Sequence, residues 1–255
     1  GGYGFCADTM RPKGSNIKGI GNQSPGAVKF LELWDKSSEI ITAGSGKQAK
    51  KGEKASIRKG AQMVTMSVCH PDILEFIDAK KTQGRLTKFN MSVLLSDKFM
   101  KAVENKEDWN FIFPNYTKYK KEYHEHWDGD WNKWKKLIGK KDAFDIHGSI
   151  SAIKLFEKIT DNTYNRNEPG VIFVDTVNKM NNLWYTEHIS ASNPCAAKGT
   201  IVNTPYGPKK VEDIEQYSYI STVFGSEPVS KIEKHSNYPV FKVKFSDGGE
   251  QIVTA

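Results

Sequence analysis

The sequence predicts an α/β domain over residues 1–194 followed by a small all-β module over residues 195–255. Before Cys195, apolar residues at helical spacing alternate with short apolar runs that read as strands. After it, short β segments recur about every eight to twelve residues between Gly/Pro turns. Charge divides at the same point. The net +7 of the 255-residue chain lies entirely in residues 1–194, with 30 basic against 23 acidic residues, whereas seven Lys balance seven Asp plus Glu beyond.

In chain order, Ala27 to Trp34 has helical spacing that continues through Ile40 and Ile41, and Met63 to Val68 alternates like a strand. Pro71-Asp72 starts a helix whose Ile73, Leu74, Phe76 and Ile77 pattern runs to Ala79. Phe89 to Leu95 reads as the next strand. Trp109 to Lys141, dense in Trp, Tyr and Lys without a clean period, reads as an aromatic-pinned insertion. Ser151 to Tyr164 is an amphipathic helix, Glu168-Pro169-Gly170 a turn, and Val171 to Val174 a short buried strand. The β module has segments at Gly199–Asn203, Tyr219–Phe224, Val229–Glu233, Val240–Phe245 and Gln251–Thr254, with turns at Pro205–Pro208 and Asp247–Gly249.

Composition excludes several classes. At 38% hydrophobic and 26% charged, the chain is neither a disordered tail nor a disulfide-stapled miniature. It has no run approaching the ~18 apolar residues of a membrane helix. Cys6, Cys69 and Cys195 are too few and scattered for a disulfide framework or a paired zinc motif, which suggests a reducing, cytoplasmic compartment. The opening Gly1-Gly2-Tyr3-Gly4-Phe5, without an initiator Met or a signal, reads as the interior of a longer protein.

Most motif matches fail on mechanism. Gly2-x-Gly4-x-x-Ala7 lacks the flanking βαβ unit of a dinucleotide site, and Gly46-Lys47 lacks the upstream glycine and the hydroxyl of a P-loop. His124-x-His126-x-Asp128 has no fourth ligand and reads as a surface cluster. Cys6 and Cys69 have no basic neighbour to activate them and read as structural. The run Lys47, Lys50, Lys51, Lys54, Arg58, Lys59 among glycines suits phosphate groups, or else is a solvated charge run.

Ordered stretches then carry a resemblance. Gly1–Phe5, Met10–Ser15, Arg58–Met63, His70–Ile77, Phe89–Val93, Glu168–Phe173 and Ala191–Cys195 resemble the large subunit of ribonucleotide reductase, especially the adenosylcobalamin-dependent branch. The resemblance implies a fragment of a ten-stranded α/β barrel made of two half-barrels. It implies reduction of ribonucleotides to deoxyribonucleotides, in which a thiyl radical on the Cys of Asn-Pro-Cys-Gly-Glu takes hydrogen from C3′ of the ribose. Asn193 matches the Asn that binds the substrate hydroxyls, Cys195 the radical Cys, and Gly2 a position where bare backbone approaches substrate. Arg11 and Lys18 match basic positions at the phosphates of the specificity effector, and Arg58 through Gln62 match the specificity loop. Implied partners are ribonucleotide substrate, dNTP or ATP effectors, the remaining reductase segments, a second copy in a homodimer and an external dithiol, with neither membrane nor nucleic acid. The radical comes from adenosylcobalamin or, alternatively, a separate diiron subunit.

The sequence departs from that family after Cys195. The expected Gly-Glu is replaced by Ala196–Thr204, with Tyr206–Ile214 beyond. A leading Cys, then Gly-Thr, a β run, a turn and Val-Glu-Asp-Ile resemble the first block of an intein. This resemblance covers residues 195–255 and implies that Cys195 attacks the Pro194 carbonyl, with Thr254 matching the Thr of a later block. The reading is therefore a reductase barrel interrupted by the amino-terminal part of an intein. One alternative is a split-intein precursor acting in trans-splicing. Another, a basic nucleic-acid-binding module, explains the charge but not the ordered matches.

Overall fold

The computed structural model describes residues 2–17, 21–43, 61–192, 199–222, 225–229, 232, 240–244 and 250–254. The chain divides into two compact units, Gly2–Pro194 and Cys195–Ala255 together with Gly1.

The first unit is built on an all-parallel sheet ordered β1–β2–β3–β6, from β1 (Gly2–Cys6), β2 (Ala61–Ser67), β3 (Phe89–Leu95) and β6 (Gly170–Phe173). Alternation along the strands separates two faces. Val64, Met66, Phe89, Met91, Val93 and Leu95 enter a buried core with Leu31, Ile73, Phe76, Phe99, Leu155 and Ile159. Those partners come from α1 (Ala27–Ala43), α2 (Ile73–Asp78), α3 (Asp97–Glu104) and α6 (Ala152–Arg166). The opposite face carries Gly2, Gly4, Cys6, Met63, Thr65, Ser67, Asn90, Ser92 and Leu94.

One carboxylate ties the β1–α1 connection to the turn after β2. Buried Asp72 accepts from Lys13 N at 2.9 Å and from Ala27 N, the first residue of α1, at 2.9 Å. Gly26 has φ +88°, and a Cβ there would lie 2.8 Å from Lys13 Cβ and 3.0 Å from Asp72 Oδ2, so only glycine lets the chain pass. His70, fully buried, accepts from Asp72 N on Nδ1 at 3.0 Å, which leaves Nε2–H to donate to Met10 O at 3.0 Å.

Asp78 at the end of α2 pairs with Lys158 of α6 at 2.6 Å and with Lys81 at 2.9 Å. Burial is the largest single influence on its carboxyl and pushes the pKa up. Hydrogen bonds from Lys158, Lys81 and Asn162 together outweigh it and hold the carboxyl below its ordinary value. Ionised Asp78 therefore stabilises the fold at neutral pH, and that contribution is lost as the pH falls through roughly 4 and below. Lys158→Met is expected to lower the melting temperature by a few degrees at pH 7 and to narrow that gap near pH 3. Thermal melts at the two pH values check it, and an equal gap at both would place the effect in packing instead.

The segment expected to be an aromatic-pinned insertion is an ordered excursion with an aromatic core. β4 (Asp108–Pro114) and β5 (Phe144–Ser151) form an antiparallel ladder, with α4 (Lys120–His126) and α5 (Trp131–Ile138) between them. Its own small core holds Trp134 and Tyr119 against Tyr123, Trp127 and Phe144. Trp134 Nε1 donates to Ala143 O at 2.8 Å, and Asp130 caps α5 by accepting from Asn132 N and Lys133 N. β4 alternates exposed Asp108 and Asn110 with buried Trp109 and Phe111 and ends on the apolar run Ile112-Phe113-Pro114. After β6 the chain turns directly into α7 (Val174–Lys179), which takes up the last residue of the predicted 171–174 strand.

The second unit contains hairpin β7 (Ile201–Thr204) and β8 (Gly207–Lys210), a 3-10 turn over Val211–Asp213, and antiparallel pairs β9 (Tyr219–Thr222) with β10 (Gly225–Pro228) and β11 (Val240–Lys244) with β12 (Glu250–Thr254). Most of the strand expected at Val229–Glu233 lies outside the described residues. In the β9–β10 ladder Gly225 pairs with Thr222 and Pro228 with Tyr219, and Val229 N extends it to Ser218 O at 2.8 Å.

Candidate active site

The polar face of the parallel sheet is where the first unit gathers chemistry. Thr65 and Ser67, buried on β2, alternate with core residues Val64 and Met66, so their hydroxyls point away from the helices. Cys6 lies opposite Thr65 in the ladder. Thr65 Oγ1 donates to Ser190 O at 2.6 Å. Asn178 of α7 holds the preceding residue at both ends, accepting from Ile189 N at 2.7 Å and donating to Ile189 O at 2.8 Å. The stretch that leads to Asn193 is thus tethered to the polar face of β2.

Asp8, directly after β1, is 1% exposed. Its carboxylate accepts from Ser67 N at 2.8 Å, from Ser67 Oγ, and from Trp131 Nε1 of α5 at 2.8 Å. No ion pair to Asp8 occurs among the described residues, so hydrogen bonds alone satisfy it. Burial first, and then the adjacent Asp8 charge, push the thiols of Cys6 and Cys69 well above the ordinary cysteine range. Both are consequently weak nucleophiles at neutral pH.

Arg11 leaves this face and sets its guanidinium 5.7 Å from the centre of the Tyr116 ring, with Nη1 donating to Asn16 O at 3.3 Å. The side chain of Gln62 turns to the helix side, where its Nε2 donates to Ser38 of α1. Arg11 and Gln62 are therefore separate from the residues facing Thr65, whereas Gly2 lies on the strand that carries Cys6. Lys18, Arg58, Asn193 and Cys195 lie outside the described residues, and Thr254 is placed only as the backbone partner of Val240. Of the surface cluster, Asp128 pairs with Lys133.

Asp8, Ser67, Trp131 and Ser190 were not evident from the sequence. Their one local signal is the Thr65/Ser67 alternation, since polar residues every second place in a parallel strand mark a face without helices. A cavity of about 550 Å³ lies beside this region, with Asp128, Asp130, Lys133, Trp184, Glu187 and Ser190 among its walls.

The family model "Ribonucleotide reductase, barrel domain" matches residues 1–199. This chain belongs to that family. The barrel-domain chain is 28% identical over 207 residues to a "Vitamin B12-dependent ribonucleoside-diphosphate reductase" of Mycobacterium tuberculosis, covering 81% of the chain and 24% of that protein. A protein of the same name from Thermoplasma acidophilum is 26% identical over 221 residues, 86% of the chain and 23% of the relative. Ribonucleoside-diphosphate reductase NrdEB subunit alpha of Bacillus subtilis is 26% identical over 220 residues, 84% of the chain and 19% of the relative. The barrel-domain chain thus spans about a quarter or less of the length of these relatives.

Proposed function

We propose that this chain is part of a ribonucleotide reductase large subunit and contributes one half of the substrate site for reduction of ribonucleoside diphosphates. The observation that carries the reading is the polar face of a parallel sheet, in a chain of the barrel-domain family, to which Thr65 tethers the stretch running into Asn193-Pro194-Cys195. In this reading the backbone at Gly2 lies against substrate and Asn193 holds the ribose hydroxyls. A cysteine at the Asn-Pro-Cys position takes hydrogen from C3′ as a thiyl radical, and an external dithiol restores the enzyme. Arg11 and Lys18 receive effector phosphates, while Arg58 belongs to the loop that links effector to substrate base and Gln62 stands at the start of the strand that follows it. Exposed Phe30, Leu33 and Ile40 along the outer face of α1 support pairing with a second copy.

Adenosylcobalamin would supply the initiating radical, as the names of the B12-dependent relatives suggest. This chain spans about a quarter or less of those relatives, and no step is assigned through the cofactor. No helix among the described residues is long and apolar enough to cross a membrane. Cys6 and Cys69 are free thiols, which supports a reducing, cytoplasmic setting.

The test is deoxyribonucleotide formation by the gene product that carries this barrel, supplied with cobalamin cofactor, dithiol, the four substrates and effectors. Arg58→Ala is expected to change effector-dependent substrate preference by about tenfold while changing the basal rate by less than about threefold. Absence of turnover overturns the reading. An unchanged preference with a lowered rate overturns the assignment of Arg58.

A second reading concerns residues 195–255. We infer that they are the amino-terminal segment of an intein. The departure from Gly-Glu after Cys195, the family match ending at residue 199, and the separate compactness of an all-β unit support it. A chain of this kind would act with a matching carboxy-terminal piece in protein splicing, including splicing in trans.

A further inference from the structure

We infer that Trp131 is a positioning residue for the polar sheet face, acting through Asp8 and Ser67 to set the end of β1 that carries the Cys6 thiol. This rests on the reading of that face as the substrate side. Trp131 comes from the excursion, 123 residues after Asp8, yet its indole N–H meets Asp8 Oδ2 at 2.8 Å and Ser67 Oγ at 3.0 Å. The same carboxylate holds Ser67 N, so one buried group joins the ends of β1 and β2, and the indole closes it from outside. Packing brings the excursion to this spot independently. Gly129, at φ +94°, comes so close that a Cβ would lie 3.6 Å from Asp8 Cβ and 3.5 Å from Thr9 Cγ2. Trp127 and Phe144 pack on the Trp131 ring with centroids 5.1 and 5.8 Å away.

A buried carboxylate with no ion pair among the described residues depends on the hydrogen-bond donors around it, so removal of one loosens the pair of strand ends it joins. Cys6 lies two residues before Asp8, at the end of β1. Cys69, two residues after Ser67, also feels the Asp8 charge, but its carbonyl accepts from Ile112 N of β4 at 2.8 Å, so its thiol is expected to respond less than that of Cys6 and serves as the comparison.

The experiment is alkylation of the full chain by iodoacetamide, with each cysteine followed by peptide mass spectrometry. Trp131→Phe keeps the aromatic packing and deletes the donor. It is expected to speed alkylation of Cys6 by roughly tenfold and that of Cys69 by less than about twofold. Ser67→Ala, which removes only the hydroxyl shared by Asp8 and Trp131, is expected to act on Cys6 in the same direction and decides the matter if Trp131→Phe does not fold. Parallel acceleration of both thiols, as from a generally looser fold, overturns the inference, and so does an unchanged Cys6. The readout needs no turnover, so its failure is distinct from failure of the reductase reading, which is decided by deoxyribonucleotide formation.

Discussion

Asp72→Ala is expected to cost the first unit about 3 kcal/mol and to lower its melting temperature by about 6–12 °C. The change deletes acceptors for Lys13 N and Ala27 N, each held at 2.9 Å, and both donors are then left in the interior beside Gly26. Ala27 N is also one of the unpaired N–H groups at the start of α1, where a carboxylate is favoured by the helix dipole. Asp72→Asn retains one acceptor oxygen and is expected to lose about half as much. Calorimetry or circular dichroism on the three proteins measures this. A melting temperature within 2 °C of the parent for the alanine variant would show that the connection is held by packing alone.

Cys195→Ala is expected to abolish cleavage at the Pro194–Cys195 bond altogether. In the intein reading, Cys195 Sγ attacks the Pro194 carbonyl carbon, the C–N bond breaks, and the freed amine stays on Cys195 while a thioester forms. Hydroxylamine or excess thiol then displaces the sulfur and releases residues 1–194. With the matching carboxy-terminal piece supplied, the parent should yield that fragment and the alanine variant none, because alanine has no nucleophile for the first acyl shift. Cys195 is claimed by both motifs. If it begins the intein it leaves on excision, and the radical cysteine is the first residue downstream. A spliced product that retains Cys195 from this chain, seen by mass spectrometry, would prove that assignment wrong.

What the sequence discloses depends on how local the deciding contacts are. The strand at Phe89–Leu95 and the helices beginning near Ala27, Ile73 and Ala152 coincide with their patterns because each buries a face that its own period defines. β1 was not legible: Gly2-Tyr3-Gly4-Phe5-Cys6 has weak strand propensity, and its partner β2 begins some sixty residues later. α3 carries a local signal that passed unread, the Ser96 side chain accepting from Phe99 N at 3.2 Å. At the candidate site, Gly2 was reached through resemblance, while Asp8, Ser67 and Trp131 meet across separations of 59 to 123 residues that no motif encodes.

The β4–β5 ladder has a consequence for how the chain tolerates change. Asp108 stands opposite Ser151, so the long path from β3 to β6 is cinched at its neck. The entropy of joining those strands is set by the short stems through α3 and α6, not by the residues looped out beyond the neck. Lengthening or shortening the tip between Pro114 and Phe144 should therefore leave β6 beside β3. Its effect should emerge elsewhere, where the tip reaches back: the Trp131 indole on Asp8 and Ser67, Gly129 beside Thr9, and Tyr116 under Arg11. A peripheral appendage, free to vary in size, is thus accountable to the sheet at a handful of contacts.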